Sequence, residues 1–373
     1  MRCNAPTIAF RCKGINPLTG KHYPPFKFFQ NWKDLTLFNM PDHERFKVIE
    51  EQYNSCPSSA EAVLLPCKHC LLCTRAYRRQ WAFRLVSEAR TCGESMYLTL
   101  TVDDSHMPEV FPDGKLSHRP FQLFMKRLRK KLAKGYYYQH VPPFTPYSLF
   151  GDIPRTVETR FYKRSSIKYY MCGEYGDLFG RPHYHACVFG ARFPDAYFVK
   201  KVKGNAYYTS PVLRELWPYG EMTFFSDVTP ASASYVAGYC DKKLDQHYWK
   251  MKHYLENPEE DIPPDIAPEY VRMSQGIGLD YFTKFGGDLY RFDSQGEFFG
   301  EYFDVGRVPI QAPKYFDEKL LLQSSEKYDK VVAARERRRL ARIVLMPVGA
   351  TLNESGRKHA VLVARRQGRE VRE

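Results

Sequence analysis

The sequence contains no run of about 18 apolar residues, the length a helix needs to cross a bilayer. Its opening residues, Met1-Arg2-Cys3-Asn4-Ala5-Pro6, lack an apolar leader core. Both absences predict a soluble chain that works inside the cell, with no membrane partner. There is no G-x-x-x-x-G-K-[ST] loop, which excludes a motor of the P-loop type. No repeat of solenoid or propeller period is visible, so the 373 residues read as one large domain or a catalytic domain with appendages. Negative charge is in deficit: 42 Asp and Glu stand against 56 Lys and Arg, a formal charge of +14. Such an excess points to a polyanionic partner. Aromatic residues, by contrast, make up 15% of the chain. Rings and cations together suit unpaired nucleic acid, whose phosphates need neutralising and whose bases stack, although rings also fill cores. Ten cysteines without an export signal read as thiols or metal ligands before disulfides.

Periodicity divides the chain into an arm (1–90), a core (91–250) and an extension (251–373). The first 60 or so residues show little pattern, and Cys67-Lys68-His69-Cys70-Leu71-Leu72-Cys73 leads into a basic amphipathic helix over 74–89, with Ala76, Trp81, Leu85 and Ala89 on one side. Met96, Leu98, Leu100 and Val102 alternate with Tyr97, Thr99 and Thr101, the pattern of a half-buried strand. Pro120 opens and Gly135 closes a helix carrying Phe121, Phe124, Met125, Leu128 and Leu132 on one side. Residues 167–172 and 183–189 predict two strands of a hairpin, and 232–244 a helix. This order implies an α+β fold, an antiparallel sheet with helices on one face. Beyond Lys250 the pattern weakens. Pro258, Pro263, Pro264 and Pro268 mark a linker or surface loop, and a basic helix or tail follows Glu326.

Two constellations carry chemistry. In Gly180-Arg181-Pro182-His183-Tyr184-His185 the histidines are two apart, so on a strand both imidazoles face one way and can share an ion. Taken alone they could equally be ordinary histidines on a polar sheet face. Glu174, in Cys172-Gly173-Glu174-Tyr175-Gly176 on the preceding limb, is the leading third ligand, with Asp177 as competitor. In Tyr235-Val236-Ala237-Gly238-Tyr239-Cys240-Asp241-Lys242-Lys243 two tyrosines stand at i and i+4, one helical turn apart on one face, with Lys242 sharing it. Packing alone would also account for such tyrosines. Gly238 costs a helix about 1 kcal/mol relative to Ala, and close approach of DNA would explain the missing side chain.

Tyr97-Leu98-Thr99-Leu100-Thr101-Val102-Asp103-Asp104, the His183/His185 block and the Tyr235/Tyr239 block, in that order, resemble the three motifs of the HUH endonuclease superfamily. The paired-tyrosine form is most similar to replication initiators of the Microviridae, particularly the gokushovirus type. Cys172-Gly173-Glu174-Tyr175-Gly176, the Pro66 to Cys73 cluster, Cys3 and Ser274-Gln275-Gly276-Ile277-Gly278 share that resemblance, which spans about three quarters of the chain. It implies a ferredoxin- or RRM-like nicking domain over 91–250 and a rolling-circle initiator that cuts and rejoins single-stranded or locally melted origin DNA in the bacterial cytoplasm. Tyr235 or Tyr239 would attack the scissile phosphate, leaving a 5′-phosphotyrosine and a 3′-OH that primes a host polymerase, with a host helicase expected. His183, His185 and Glu174 would hold Mg²⁺ or Mn²⁺, hard ions suited to phosphate oxygen, although His ligation also admits Zn²⁺. Thr99 and Thr101, on the same side as Tyr97, would lie under the DNA or the metal.

Cys67, Cys70 and Cys73 can also place three thiolates on a structural Zn²⁺, with Cys3, Cys56 or His69 completing a tetrahedron. Two other readings remain open: a zinc-stabilised single-stranded nucleic-acid binding protein without strand scission, and a metal-dependent hydrolase using water.

Overall fold

The computed structural model describes residues 7–11, 61–65, 71–140, 157–176, 180–202, 204–238, 269–303, 308–309 and 311–344. The chain divides into two compact units, 1–77 with 336–373, and 78–335. In the first, β1 (Thr7–Arg11) pairs antiparallel with β2 (Glu61–Leu65), Thr7 opposite Leu65. Helix α1 (Leu71–Thr91) starts in this unit and continues into the second.

The second unit follows with β3 (Ser95–Leu100), a short α2 (Met107–Val110) and α3 (Arg119–Lys134). A ribbon of β4 (Tyr136–His140) and β5 (Glu158–Tyr162) comes next. Then come β6 (Lys168–Tyr175), β7 (Pro182–Phe189), β8 (Tyr197–Val202), β9 (Asn205–Thr209), α4 (Pro211–Leu216), β10 (Phe224–Ser226) and a helix α5 over 230–238. The stretch beyond Lys250, where the sequence pattern faded, supplies β11 (Tyr270–Met273), α6 (Leu279–Leu289), β12 (Tyr290–Phe292), β13 (Phe298–Phe303), β14 (Val308–Pro309), α7 (Lys314–Gln323) and α8 (Ser325–Val344). No helix among the described residues is long and apolar enough to cross a membrane.

Seven strands form one antiparallel sheet in the order β11-β6-β7-β3-β10-β9-β8. The α+β class is as expected. The alternation read from 96–102 places Met96, Leu98 and Leu100 in one core with Tyr184, Ala186 and Val188 of β7, covered by Phe121, Phe124, Met125, Leu128 and Leu132 of α3. Gly135, at φ 80°, ends α3 where a residue with a side chain would be strained. Each large apolar side chain buried there contributes about 1.5–3 kcal/mol.

Helices lie on both faces of the sheet, however, and not on one. The second face is closed by Trp81 and Leu85 of α1 and by Ala233, Val236 and Ala237 of α5, packed on Tyr97, Tyr170, Cys172, Cys187 and Phe189. Ala76, expected on the buried side of α1, is exposed. The buried side carries Ser87 and Glu88 instead. Glu88 accepts hydrogen bonds from Lys168 Nζ (2.8 Å) and the Gly278 amide (2.6 Å), and Arg84 donates to the Ile277 carbonyl (3.0 Å). The Ser274–Gly278 stretch is therefore strapped to α1, with Ile277 in the core. A third cluster, built around Phe282, Tyr290, Phe316 and Val331, joins α6 to α8.

Candidate metal centre and its tyrosine

The hairpin of β6 and β7 builds the site through its register. Glu174 lies directly opposite His183, and Cys172 opposite His185, so Glu174 and both histidines point to one face while Tyr184 points to the other. Glu174 Oε1 sits 2.7 Å from His183 Nε2 and 2.9 Å from His185 Nε2. One ligand atom from each of the three lies within 4.8 Å of the others. Glu174 is 2% exposed and His185 is 7% exposed, while His183 is half-buried at the mouth. Two imidazole nitrogens and a carboxylate oxygen on one wall form a donor set that could hold a divalent cation.

The surroundings orient both rings. His183 Nδ1 donates to the Arg181 carbonyl (3.0 Å), which can only accept, so Nδ1 carries the proton and Nε2 is the atom turned to the centre. His185 Nδ1 is 2.8 Å from the Tyr97 hydroxyl and 3.1 Å from that of Thr99. The Tyr97 and His185 rings are nearly parallel, 6° apart. The expectation that Tyr97 and Thr99 lie under the site is thus met in their geometry. Thr101 instead gives its carbonyl to the Trp217 indole N–H (2.7 Å). Burial pushes the Glu174 carboxyl up, but hydrogen bonds from both imidazoles outweigh it and bring the group down to about 2. Burial lowers His185 and favours the neutral, lone-pair-bearing ring, with Glu174 partly opposing. Burial raises Tyr97 far above the ordinary phenol, so it remains a neutral hydroxyl.

Helix α5 brings the tyrosine. Its start is a reciprocal cap: Ser232 N–H donates to Thr229 Oγ1 (3.1 Å) and Thr229 N–H donates to Ser232 Oγ (2.8 Å), with Pro230 opening the first turn. The small residues Ala233 and Ala237 seat the helix close on the sheet, leaving Tyr235 45% exposed at its margin. The Tyr235 ring meets His185 edge-on, with centroids 5.2 Å apart, and its hydroxyl donates to Glu174 Oε1 at 3.4 Å. One carboxylate oxygen thus gathers both imidazoles and the phenol. Tyr239, Lys242 and Asp177 lie outside the described residues, as do Cys3, Cys56, Cys67, His69 and Cys70. Cys73 is half-buried in α1.

Gly238 has a local explanation that the sequence did not offer. A Cβ there would sit 2.9 Å from Arg78 Cζ, and Arg78 Nε donates to the Ser234 carbonyl (2.7 Å) and Oγ (3.2 Å). The missing side chain makes room for this guanidinium, which meets the negative end of the helix dipole. Arg78 had appeared only as one cation of a basic helix, and its partner is 156 residues away.

Residues 147–244, which include the triad and both motif tyrosines, match the family model of the replication-associated protein ORF2 group. The chain is 35% identical over 181 residues to replication-associated protein VP4 of Bdellovibrio phage phiMH2K, covering 48% of each. It is 28% identical over 265 residues to replication-associated protein ORF2 of Spiroplasma virus 4, covering 69% of this chain and 67% of that one. Against replication-associated protein ORF4 of Chlamydia phage 1 it is 28% identical over 226 residues, 59% of this chain and 46% of the relative. The matches to the first and last of these span about half of those proteins' length. No solved structure matches the chain. The resemblance read from the motifs is borne out at this level: the chain is similar to microvirus replication-associated proteins.

Proposed function

We propose that this protein initiates phage DNA replication by nicking and rejoining single-stranded DNA, with a tyrosine as nucleophile and a divalent metal held by Glu174, His183 and His185. The observation that carries the reading is the convergence of Tyr235, His183 and His185 on a single oxygen, Glu174 Oε1. The replication-associated names of its relatives support the same role. Mg²⁺ or Mn²⁺ bound there would act as a Lewis acid toward a non-bridging oxygen of the scissile phosphate and neutralise developing charge. The protein's own contribution is orientation. Arg181 fixes the His183 ring from behind, and the Tyr97 and Thr99 hydroxyl oxygens can accept the proton on His185 Nδ1, so that both Nε2 atoms can face one ion. The α5 cap and the Arg78 contact hold Tyr235 at the rim.

In the reaction the Tyr235 phenolic oxygen forms a bond to phosphorus as the bond to the 3′ oxygen breaks. The phenolic proton ends on that 3′ oxygen. The product is a 5′-phosphotyrosine and a free 3′-OH, and the retained phosphoester lets the step run backwards without ATP. Tyr239 is the second nucleophile of the scheme, and Lys242 a cation for phosphate. The 3′-OH would prime a host polymerase in the bacterial cytoplasm, and strand opening would fall to a host helicase. Incubating end-labelled single-stranded origin fragments with Mg²⁺ or Mn²⁺ and separating the products under denaturing conditions tests this. Scission with DNA retained on protein is expected, and Tyr235→Phe with Tyr239→Phe should abolish the adduct. Metal-dependent scission that leaves free ends would indicate water as nucleophile, and binding without scission a nucleic-acid binding protein; either overturns the reading.

A further inference from the structure

Helix α3 has two unlike sides. Phe121, Phe124, Met125, Leu128 and Leu132 are buried under the sheet face opposite the triad. Its outer side carries Arg119, Lys126, Lys130 and Lys134, all exposed. Spacings of seven, four and four residues keep these cations within roughly 80° of the helix circumference, in a stripe about 22 Å long. The helix holds seven cations and no carboxylate.

Cations elsewhere in this unit are matched. Lys330 of α8 faces Glu326 (3.3 Å) and Glu297 (3.5 Å), Lys131 faces Glu215 (2.7 Å), and Arg127 donates to the Leu216 carbonyl (2.9 Å). None of the four stripe residues makes an ion pair among the described residues. Lys134 complements the negative end of the helix. Lys126 and Lys130 stand mid-helix, where like charges at i and i+4 disfavour the helix. The fold thus keeps a repulsive row that packing does not require.

We propose that this stripe is a second DNA-binding surface, one that takes the phosphate backbone of duplex DNA while the strand to be cut lies at the triad on the opposite face. The proposal rests on DNA being the partner, as read above. Duplex is favoured because the exposed residues of α3 (Gln122, Lys126, Arg129, Lys130, Ala133, Lys134) include no ring on which a base could stack. A duplex shows its phosphates outward, one charge per about 1.7 Å of axis, and asks only for cations.

The test is fluorescence anisotropy of the full chain with a labelled duplex across a salt series in EDTA, where no metal-dependent scission contributes. Lys126→Gln, Lys130→Gln and Lys134→Gln together should make the slope of log K against log salt shallower by about 2.7, and weaken duplex binding on the order of tenfold or more at low salt. The loss for a single-stranded oligonucleotide should be smaller. The matching triple Lys→Arg variant should keep the wild-type slope, with the folding of both variants checked by circular dichroism. An unchanged slope in the Gln variant overturns the proposal. So does an equal loss for single strands, or a loss confined to anionic vesicles or an acidic peptide. A failed nicking assay leaves this result standing, and the reverse holds too.

Discussion

On β7, Tyr184, Ala186 and Val188 alternate with His183, His185 and Cys187, so a single strand furnishes two very different surfaces. The far surface is closed by the long apolar side of α3. The near surface is closed by α1 and α5 through Trp81, Leu85, Ala233, Val236 and Ala237, but Glu174 and the two histidines stay polar and gathered at its margin. The difference teaches that the far side secures the sheet and the near side uses that rigidity. A buried carboxylate with two imidazoles is tolerated only because each ring has a second partner, Arg181 for His183 and Tyr97 with Thr99 for His185.

The sharpest contrast comes from removing ligands. His183→Ala with His185→Ala should lower metal-dependent cleavage by a factor on the order of 10³ and abolish metal binding seen by calorimetry, with little change in fold. Phe124→Ala on the far side should do the opposite, costing about 3–5 kcal/mol in denaturant unfolding while the folded fraction still binds metal. If that variant lost metal binding as fully as the histidine pair, the two faces would not be separable. Tyr97→Phe or Thr99→Val should cost about 10–100-fold in metal affinity, because His185 loses part of what orients it. The smallest effect concerns α5. Gly238→Ala should slow adduct formation, and Arg78→Ala in the same chain should relieve part of that defect, a coupling of about 0.5–3 kcal/mol. If the penalty of Gly238→Ala is the same with and without Arg78, the glycine serves DNA approach and not the guanidinium.

Much of this site was legible because its determinants are local. Period-two alternation in 96–100 and 183–189, and the 3.6-residue spacing of Phe121 to Leu132, carry over directly to β3, β7 and α3. The pairing of Glu174 with His183 follows from the same hairpin logic. What escaped were relations between distant segments. The second helical layer needs α1 and α5 to meet across the sheet, and no local pattern states that. Glu88 looks like an ordinary surface carboxylate until Lys168 and Gly278 arrive beside it. Strand β11 draws its register from Cys172 and Gly173, about a hundred residues earlier. Its own four residues are too few for a pattern.

The central claim, a tyrosine nucleophile at the rim of this triad, is tested most directly by digesting the protein–DNA product and sequencing the linked peptide by mass spectrometry. The account predicts a phosphodiester on Tyr235 or Tyr239, moving wholly to Tyr239 in Tyr235→Phe and absent when both are Phe. A link at any other residue, or metal-dependent cleavage with no linked peptide at all, would contradict it.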